Sequence, residues 1–230
     1  MGSRPVFMPV LNPNHIGSLV SCKNYNFVWQ AGLSLTQKQK NVINLHDAVR
    51  RDSHYQNARI LEISSKSKDL LGVRLSAFNL TIKYKGYARS VESVFQSSKV
   101  FRDGGPYTDL LLKASVEAKR DLRLKNSGPL IKFMYDGQEW EIEPKTMFYD
   151  WLYIQALLEN PYFADQLLQY DAFTDIEFNP QKSINCQAHA AALYVALKKR
   201  YTPVLQNAKE DVKSYKMLIN SMTEENLLFK

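Results

Sequence analysis

The apolar pattern changes period repeatedly along the chain, and each change marks an element. RPVFMPV (4–10) and YNFVWQ (25–30) read as short strands around the turn-rich LNPNHIGS. From Ser34 to about Arg51, Leu35, Val42, Leu45 and Val49 recur on one side of an amphipathic helix, with Ser34 or Thr36 as its cap. ARILEIS alternates as a strand does, and SKDLLG predicts one helical turn ending at Gly72. LSAFNLTIKY reads as extended, SVESVFQSSKVF (90–101) as a helix, and RDGGPYTDLL as a loop, where Gly104–Gly105 reads as a plain turn rather than a phosphate cradle. KASVEAKRDLRLK predicts one charged helix stopping near Asn126 to Gly128. In LIKFMYDGQEWEIE, two strand-like runs flank Asp136–Gly137, a pair suited to the positive φ values of a type I′ hairpin.

Pro144 predicts the start of a helix carrying Phe148, Tyr149, Trp151 and Tyr153, and Asn160–Pro161 restarts a helix through YFADQLLQY. After the FNPQKS turn, CQAHAAALYVALKKR is an alanine-rich helix closing on three cations, where the helix dipole favours them. One more helix follows Pro203, with fraying expected in the last residues. The sum is an α+β chain, predominantly helical.

With 230 residues, 45% hydrophobic and 23% charged, the chain has the composition of an ordinary globular protein. No apolar run approaches a membrane span, and the start carries no signal-peptide pattern. Cys22 and Cys186 make no disulfide framework, which predicts a reducing, cytoplasmic setting. A formal charge of +7 suggests an anionic partner: nucleic acid, or a phosphorylated metabolite. Walker A, GxGxxG, HExxH and GxSxG patterns are missing, and His15, His46, His54 and His189 lack metal-ligand spacing. His189 reads as a satisfied core residue.

Within SVESVFQSSKVF, helical spacing sets Glu92, Phe95, Gln96 and Lys99 on one stripe. An amine among apolar neighbours loses part of its charge preference and becomes a nucleophile or base, with Glu92 either its proton-transfer partner or the holder of a sugar hydroxyl. Spacing alone fits an ordinary surface helix better. Against that stands the charge pattern: the stripe has no i, i+4 pair of opposite charge to hold a solvated helix, which favours a pocket wall with Glu92 and Lys99 buried, facing Trp140 and the Asp175 segment across a cleft sized for the substrate.

Resemblance adds to this. VESVFQSSKVF resembles the signature of the NADAR family, whose members share a YbiA-like fold, with a Glu opening a helix and FQ-x-x-K following. LSAF resembles the family's F-S-N-F segment, keeping Ser76 and Phe78 but placing Ala77 where Asn is frequent. Trp140–Glu141 resembles its W-E pair, and Asn185 with CQAHAAAL resembles its N-x-L-G-x-x-L helix. Stretches such as GGPYTDLL, RLKNSG, EPKTMFYDWLYIQAL and YDAFTDIEFNP are similar to one branch, the NADAR antitoxins encoded beside guanine-modifying DarT-type ADP-ribosyltransferase toxins.

The resemblance implies a YbiA-like NADAR core over 71–202, an N-terminal extension over 1–70 packed on it, and a C-terminal helix and tail over 203–230. It implies an antitoxin ADP-ribosyl glycohydrolase that removes ADP-ribose from guanine in single-stranded DNA, without a metal or other cofactor. Its partners would be ADP-ribosylated DNA, the ADP-ribose product and the cognate toxin, with no membrane. Lys99, Glu92 and Asp175 are the implied catalytic residues; Ser76, Phe78, Gln96, Trp140 and Asn185 are implied to bind substrate. The family Asp maps to Asp175, with Asp171 as the other position. Two alternatives stand beside this: an N-glycosidase acting on ribosylamino-pyrimidine intermediates of the riboflavin pathway, and a non-enzymatic antitoxin that binds modified DNA or the toxin.

Overall fold

The computed structural model describes residues 1–15 and 17–228, with side chains through residue 222. Residues 229 and 230, where fraying was expected, lie outside the described residues, as does Ile16 of the LNPNHIGS turn. The protein is α+β, 43% helical and 19% strand, so helix predominates as the pattern predicts.

Strands β1 (Gly2–Pro9) and β2 (Val20–Phe27) pair antiparallel along their full length, Gly2 opposite Phe27. Helix α1 (Leu35–Arg50) starts where Ser34 Oγ accepts the Gln37 N–H at 3.2 Å. Next come β3 (Ile60–Glu62) and α2 (Leu70–Arg74), capped by Asp69. Gly72 lies inside α2 rather than ending it. A Cβ there would sit 1.9 Å from the Glu62 carbonyl oxygen, so the glycine lets the helix lie against β3.

The segment read as extended from Leu75 is instead a turn followed by a hairpin, β4 (Thr81–Tyr84) and β5 (Tyr87–Ser90). Helix α3 (Val91–Ser97), capped by Ser90, stops four residues earlier than its pattern suggests. Ser97 and Ser98 hydroxyls both donate to the Val94 carbonyl, and the Ser98 carbonyl accepts the Met134 N–H at 2.7 Å. Side-chain bonds of this kind compete with the helical ladder. Lys99 therefore opens a strand, β6 (Lys99–Phe101), and does not share a helical face with Glu92.

The charged helix is broken into α4 (Ser115–Arg120) and α5 (Arg123–Asn126), because Asp121 turns extended and caps the Arg123 N–H. Strands β7 (Leu130–Tyr135) and β8 (Gln138–Trp140) form the expected hairpin, with φ of 49° at Asp136 and 79° at Gly137. Pro144 precedes α6 (Met147–Glu159) instead of opening it, and its carbonyl accepts the Met147 N–H. Helix α7 (Pro161–Leu167) restarts at Pro161 as predicted. The loop after it contains a further strand, β9 (Ala172–Thr174). Helix α8 (Gln187–Arg200) matches its pattern, and two helices follow it where one was expected: α9 (Thr202–Gln206) and α10 (Val212–Leu228).

One sheet runs β2-β1-β9-β3, with β9 antiparallel to β1 and parallel to β3; a second runs β6-β7-β8. Along β1 the pleat sends Val6 and Met8 into a small core with Val42, Leu45 and Val49 of α1. Phe7 points the other way, into the main core beneath α6 and α8. Every residue of α6 from Met147 to Leu157 is buried, which accounts for an apolar run with little polar face. Ala190, Ala191 and Ala192 of α8 are fully buried in the same core. His189 is satisfied there, its Nδ1 3.2 Å from Asp150 Oδ1.

Candidate active site

Pairing places the central lysine. Lys99 lies opposite Phe133, and Phe133 lies opposite Trp140, so the three side chains form one cross-strand row on one face of the small sheet. Lys99 borders an open cavity of about 220 Å³ whose wall includes Phe95, Phe133, Ile142 and Asn185. Its Nζ sits 4.7 Å from the Phe95 ring centroid. Burial pushes the Lys99 ammonium down to about 8; the Glu92 carboxylate opposes that shift and the Lys119 charge adds to it. With a pKa near 8, about a tenth of the amine is neutral at pH 7.

Glu92 is 5% exposed and accepts a hydrogen bond from Gln96 Nε2 at 2.8 Å. Lys119 Nζ, on a half-exposed side chain, stands 3.6 Å from Glu92 Oε1 and 5.0 Å above the Phe78 ring. The Glu92 N–H donates to the Ala77 carbonyl and the Ala77 N–H donates to Gln187 Oε1. At the position where the resemblance expects Asn, the hydrogen bonds come from backbone. Gln187 Nε2 also donates to Asp175 Oδ2 at 3.0 Å and to the Ile63 carbonyl.

Asp175 is buried, and its carboxyl is pushed up to about 8, first by burial and then by the charge of Glu62. Glu62 receives hydrogen bonds from Ser64 Oγ, Thr174 Oγ1 and the Ile176 N–H, so its charge is better satisfied than that of Asp175. His46 Nε2 stands 2.9 Å from the same Thr174 hydroxyl, and burial holds its ring neutral, with its pKa lowered to about 4. Burial raises the Glu62 carboxyl as well, and against its three donors Asp175 has two, Gln187 Nε2 and the Glu177 N–H, so the proton that the pair retains at neutral pH favours Asp175. Asp171 is exposed, its carboxylate occupied by the Arg59 N–H.

Tyr149, which the pattern places only on the helix after Pro144, lies among these groups. Its ring meets Phe95 edge-on at 5.0 Å. Burial, reinforced by the charges of Glu92 and Asp175 among others, holds the phenol proton well above its ordinary range. Its place within EPKTMFYDWL, one of the resembling stretches, was the available signal. Lys119 and Glu62 carry no such mark; each is a common charged residue whose role depends on what the fold sets beside it.

The remaining sequence-predicted residues divide. Asn185 reaches the cavity, and its Oδ1 is buried with no partner among the described residues. Gln96 holds Glu92, and Phe78 lies beneath Lys119. The Ser76 hydroxyl donates to the Val73 carbonyl and accepts from Asn79, which fixes the turn. Trp140 does not border the cavity. Phe133 stands between it and Lys99, and the indole, 1% exposed, packs on Trp151 at 4.8 Å and under Lys216 at 4.1 Å. Gly104–Gly105 is a turn, as read: a Cβ on Gly105, at φ +88°, would lie 2.5 Å from the Lys99 carbonyl oxygen. Among the described residues no group of three or more His, Cys, Asp or Glu is placed to hold a metal, and no helix is long and apolar enough to cross a membrane.

A family model described as DarT1-associated NADAR antitoxin matches residues 2–227, nearly the whole chain. No curated protein matches it.

Proposed function

Because the chain belongs to the DarT1-associated NADAR antitoxin family, we propose that it is a cytoplasmic ADP-ribosyl glycohydrolase that frees guanine bases of single-stranded DNA from ADP-ribose. The observation that carries this reading is Lys99: a half-buried amine with no ion pair among the described residues, at the edge of an open cavity and close enough to a buried carboxylate to feel its charge. A module that only bound its target would gain nothing from an amine kept partly neutral.

The chemistry follows from the bond to be broken, a C–N bond at the anomeric carbon of ribose. Proton donation to the ring oxygen opens the sugar and leaves that carbon as an imine to the guanine nitrogen. The neutral Lys99 amine adds to the carbon, and the guanine nitrogen leaves as a free amine after taking up a proton. Lys99 is then joined to the sugar as a Schiff base. One water adds, the amine departs, and ADP-ribose closes with Lys99 regenerated. Glu92 moves the protons; Asp175, protonated and held by Gln187, orients the water or the ribose hydroxyls; Tyr149, whose phenol keeps its proton, supplies a hydrogen bond beside them. Asn185 Oδ1 accepts a sugar hydroxyl. A cavity of about 220 Å³ is below the ~300–1,000 Å³ of sites that enclose a drug-sized ligand. It takes the ribose and leaves pyrophosphate and adenosine along the surface near Lys119, in place of a cleft enclosing all of ADP-ribose.

The test is to incubate the purified protein with guanine-ADP-ribosylated oligonucleotide and measure free ADP-ribose. Wild type should release it, Lys99→Ala should not, and borohydride during turnover should trap a sugar on Lys99. Activity of Lys99→Ala within a few-fold of wild type removes the lysine from the mechanism. Tight binding of the modified strand without release by wild type would make this a sequestering antitoxin.

A further inference from the structure

From Leu70 to Val91 the chain has no carboxylate and four cations, Arg74, Lys83, Lys85 and Arg89. Three of the four lie on the β4–β5 hairpin, which no part of the mechanism uses. Its two-residue turn, Lys85–Gly86, has φ of 49° and 83°, and Tyr84 pairs with Tyr87 across it. Such a turn fixes the direction of the tip. Tyr84 is anchored below by Tyr135 at 5.1 Å. Tyr87 is not anchored: 66% of it is exposed, with the Arg89 guanidinium 5.2 Å from its ring centroid. By the pleat, Tyr84, Tyr87 and Arg89 share one face while Lys83 points to the other.

None of Lys83, Lys85 and Arg89 is ion-paired among the described residues. The neighbouring acids are Glu159, which accepts the Lys83 N–H and pairs with Lys209, and Asp136 at the tip of the adjacent hairpin. The hairpin is also tied to the candidate site. At its base the Val91 N–H donates to Leu80 and the Glu92 N–H to Ala77, while Ser115 Oγ joins Phe78 and Ser90 to the helix that carries Lys119. Tyr87 is three residues from the Ser90 cap, about 10 Å of strand.

We propose that this hairpin is the strand-gripping element of the protein: one base of a single-stranded nucleic acid stacks on Tyr87, and its phosphates lie against Lys85 and Arg89. An exposed ring beside unneutralised cations suits an unpaired strand, whose bases offer open faces, better than a duplex, whose bases are already stacked. Lys83, on the reverse face, contributes field rather than contact. The assignment rests on the glycohydrolase reading only for what the strand carries, a modified guanine delivered to Lys99.

Fluorescence anisotropy with an unmodified single-stranded oligonucleotide, titrated over a range of salt, tests it without any turnover. Wild type should bind with affinity falling linearly on a log–log plot against salt. Lys85→Ala with Arg89→Ala should flatten that slope by about 1.4, two phosphate contacts on a single strand. Tyr87→Ala should weaken binding about five- to hundredfold and Tyr87→Phe should restore it, since the ring and not the hydroxyl stacks. On ADP-ribosylated oligonucleotide the same alanine variant should raise KM more than it lowers kcat. Unchanged affinity in Tyr87→Ala and in the double variant overturns the proposal, as does duplex binding as tight as single-strand binding. Loss of strand binding in these variants, in a wild type that never releases ADP-ribose, would support the hairpin and remove the glycohydrolase reading instead.

Discussion

Burial moves the Lys99 and Asp175 pKa values in opposite directions, each toward the neutral form, with opposite consequences along the pH axis. The folded Lys99 has its pKa lowered to about 8 from an ordinary value of 10.5. Its charged form is therefore penalised by folding, in full below pH 8 and not at all above about 10.5. Lys99→Met should raise the melting temperature at pH 7, with the gain vanishing near pH 10.5; a gain independent of pH would contradict the burial of the charge. The catalytic counterpart is a rate that climbs with pH toward 8 as the free amine forms and falls above it as Asp175 gives up its proton. Asp175 runs the other way. Its folded pKa, about 8, lies above its ordinary 3.8, so the fold holds a proton that the unfolded chain releases. The stability this supplies is complete below pH 3.8 and is lost as pH rises through 8. Asp175→Asn, which keeps the Gln187 contact available, should therefore melt higher than wild type by a margin that widens from pH 5 to pH 9, while ADP-ribose release falls. Equal melting curves at pH 9 would mean that Asp175 is not the protonated member of the Glu62 pair.

Between elements, the decisive junction is that of α3 and β6. Seven residues of helix bring Glu92 and Gln96 inward, and two serines then stop the helix so that Lys99 can pair with β7. Glu92 and Lys99 stand near each other, but not on one helical stripe. Burial and sheet pairing bring them together instead. The same pairing explains Trp140. The row Lys99–Phe133–Trp140 spans neighbouring strands spaced ~4.8 Å apart, and Phe133 fills the middle of it, 4% exposed and stacked on Phe148 at 4.7 Å. Phe133→Ala should cost about 3–5 kcal/mol by denaturant unfolding. A cost below ~1 kcal/mol would mean that the row is not packed as described.

At the scale of the whole molecule, β9 lies between β1 and β3, so residues from the last third of the chain complete a sheet built by the first. Residues 71–230 alone should therefore fail to give a cooperative thermal transition by circular dichroism, since β9 would lose both neighbours and Asp175 would lose Glu62. A cooperative melt of that fragment would refute this. The chain, read alone, reveals what is encoded locally. Ser34 capped α1, Asp136–Gly137 made a type I′ turn, and the alanine run of α8 carried its period, because caps, turns and periodicity act over a few residues. It also determined the family, because spaced motifs such as VESVFQSSKVF and CQAHAAAL survive whatever the fold does with them, and the family match over residues 2–227 agrees. Tertiary structure alone decided where Lys99 points, that Trp140 is screened by Phe133, that Asp175 shares its burial with Glu62 from 113 residues earlier in the chain, and that Tyr149 and Lys119 stand beside Glu92. The physical reason is that desolvation and charge act through space. A residue's pKa and accessibility depend on which distant segments the core brings against it, and no local pattern records them.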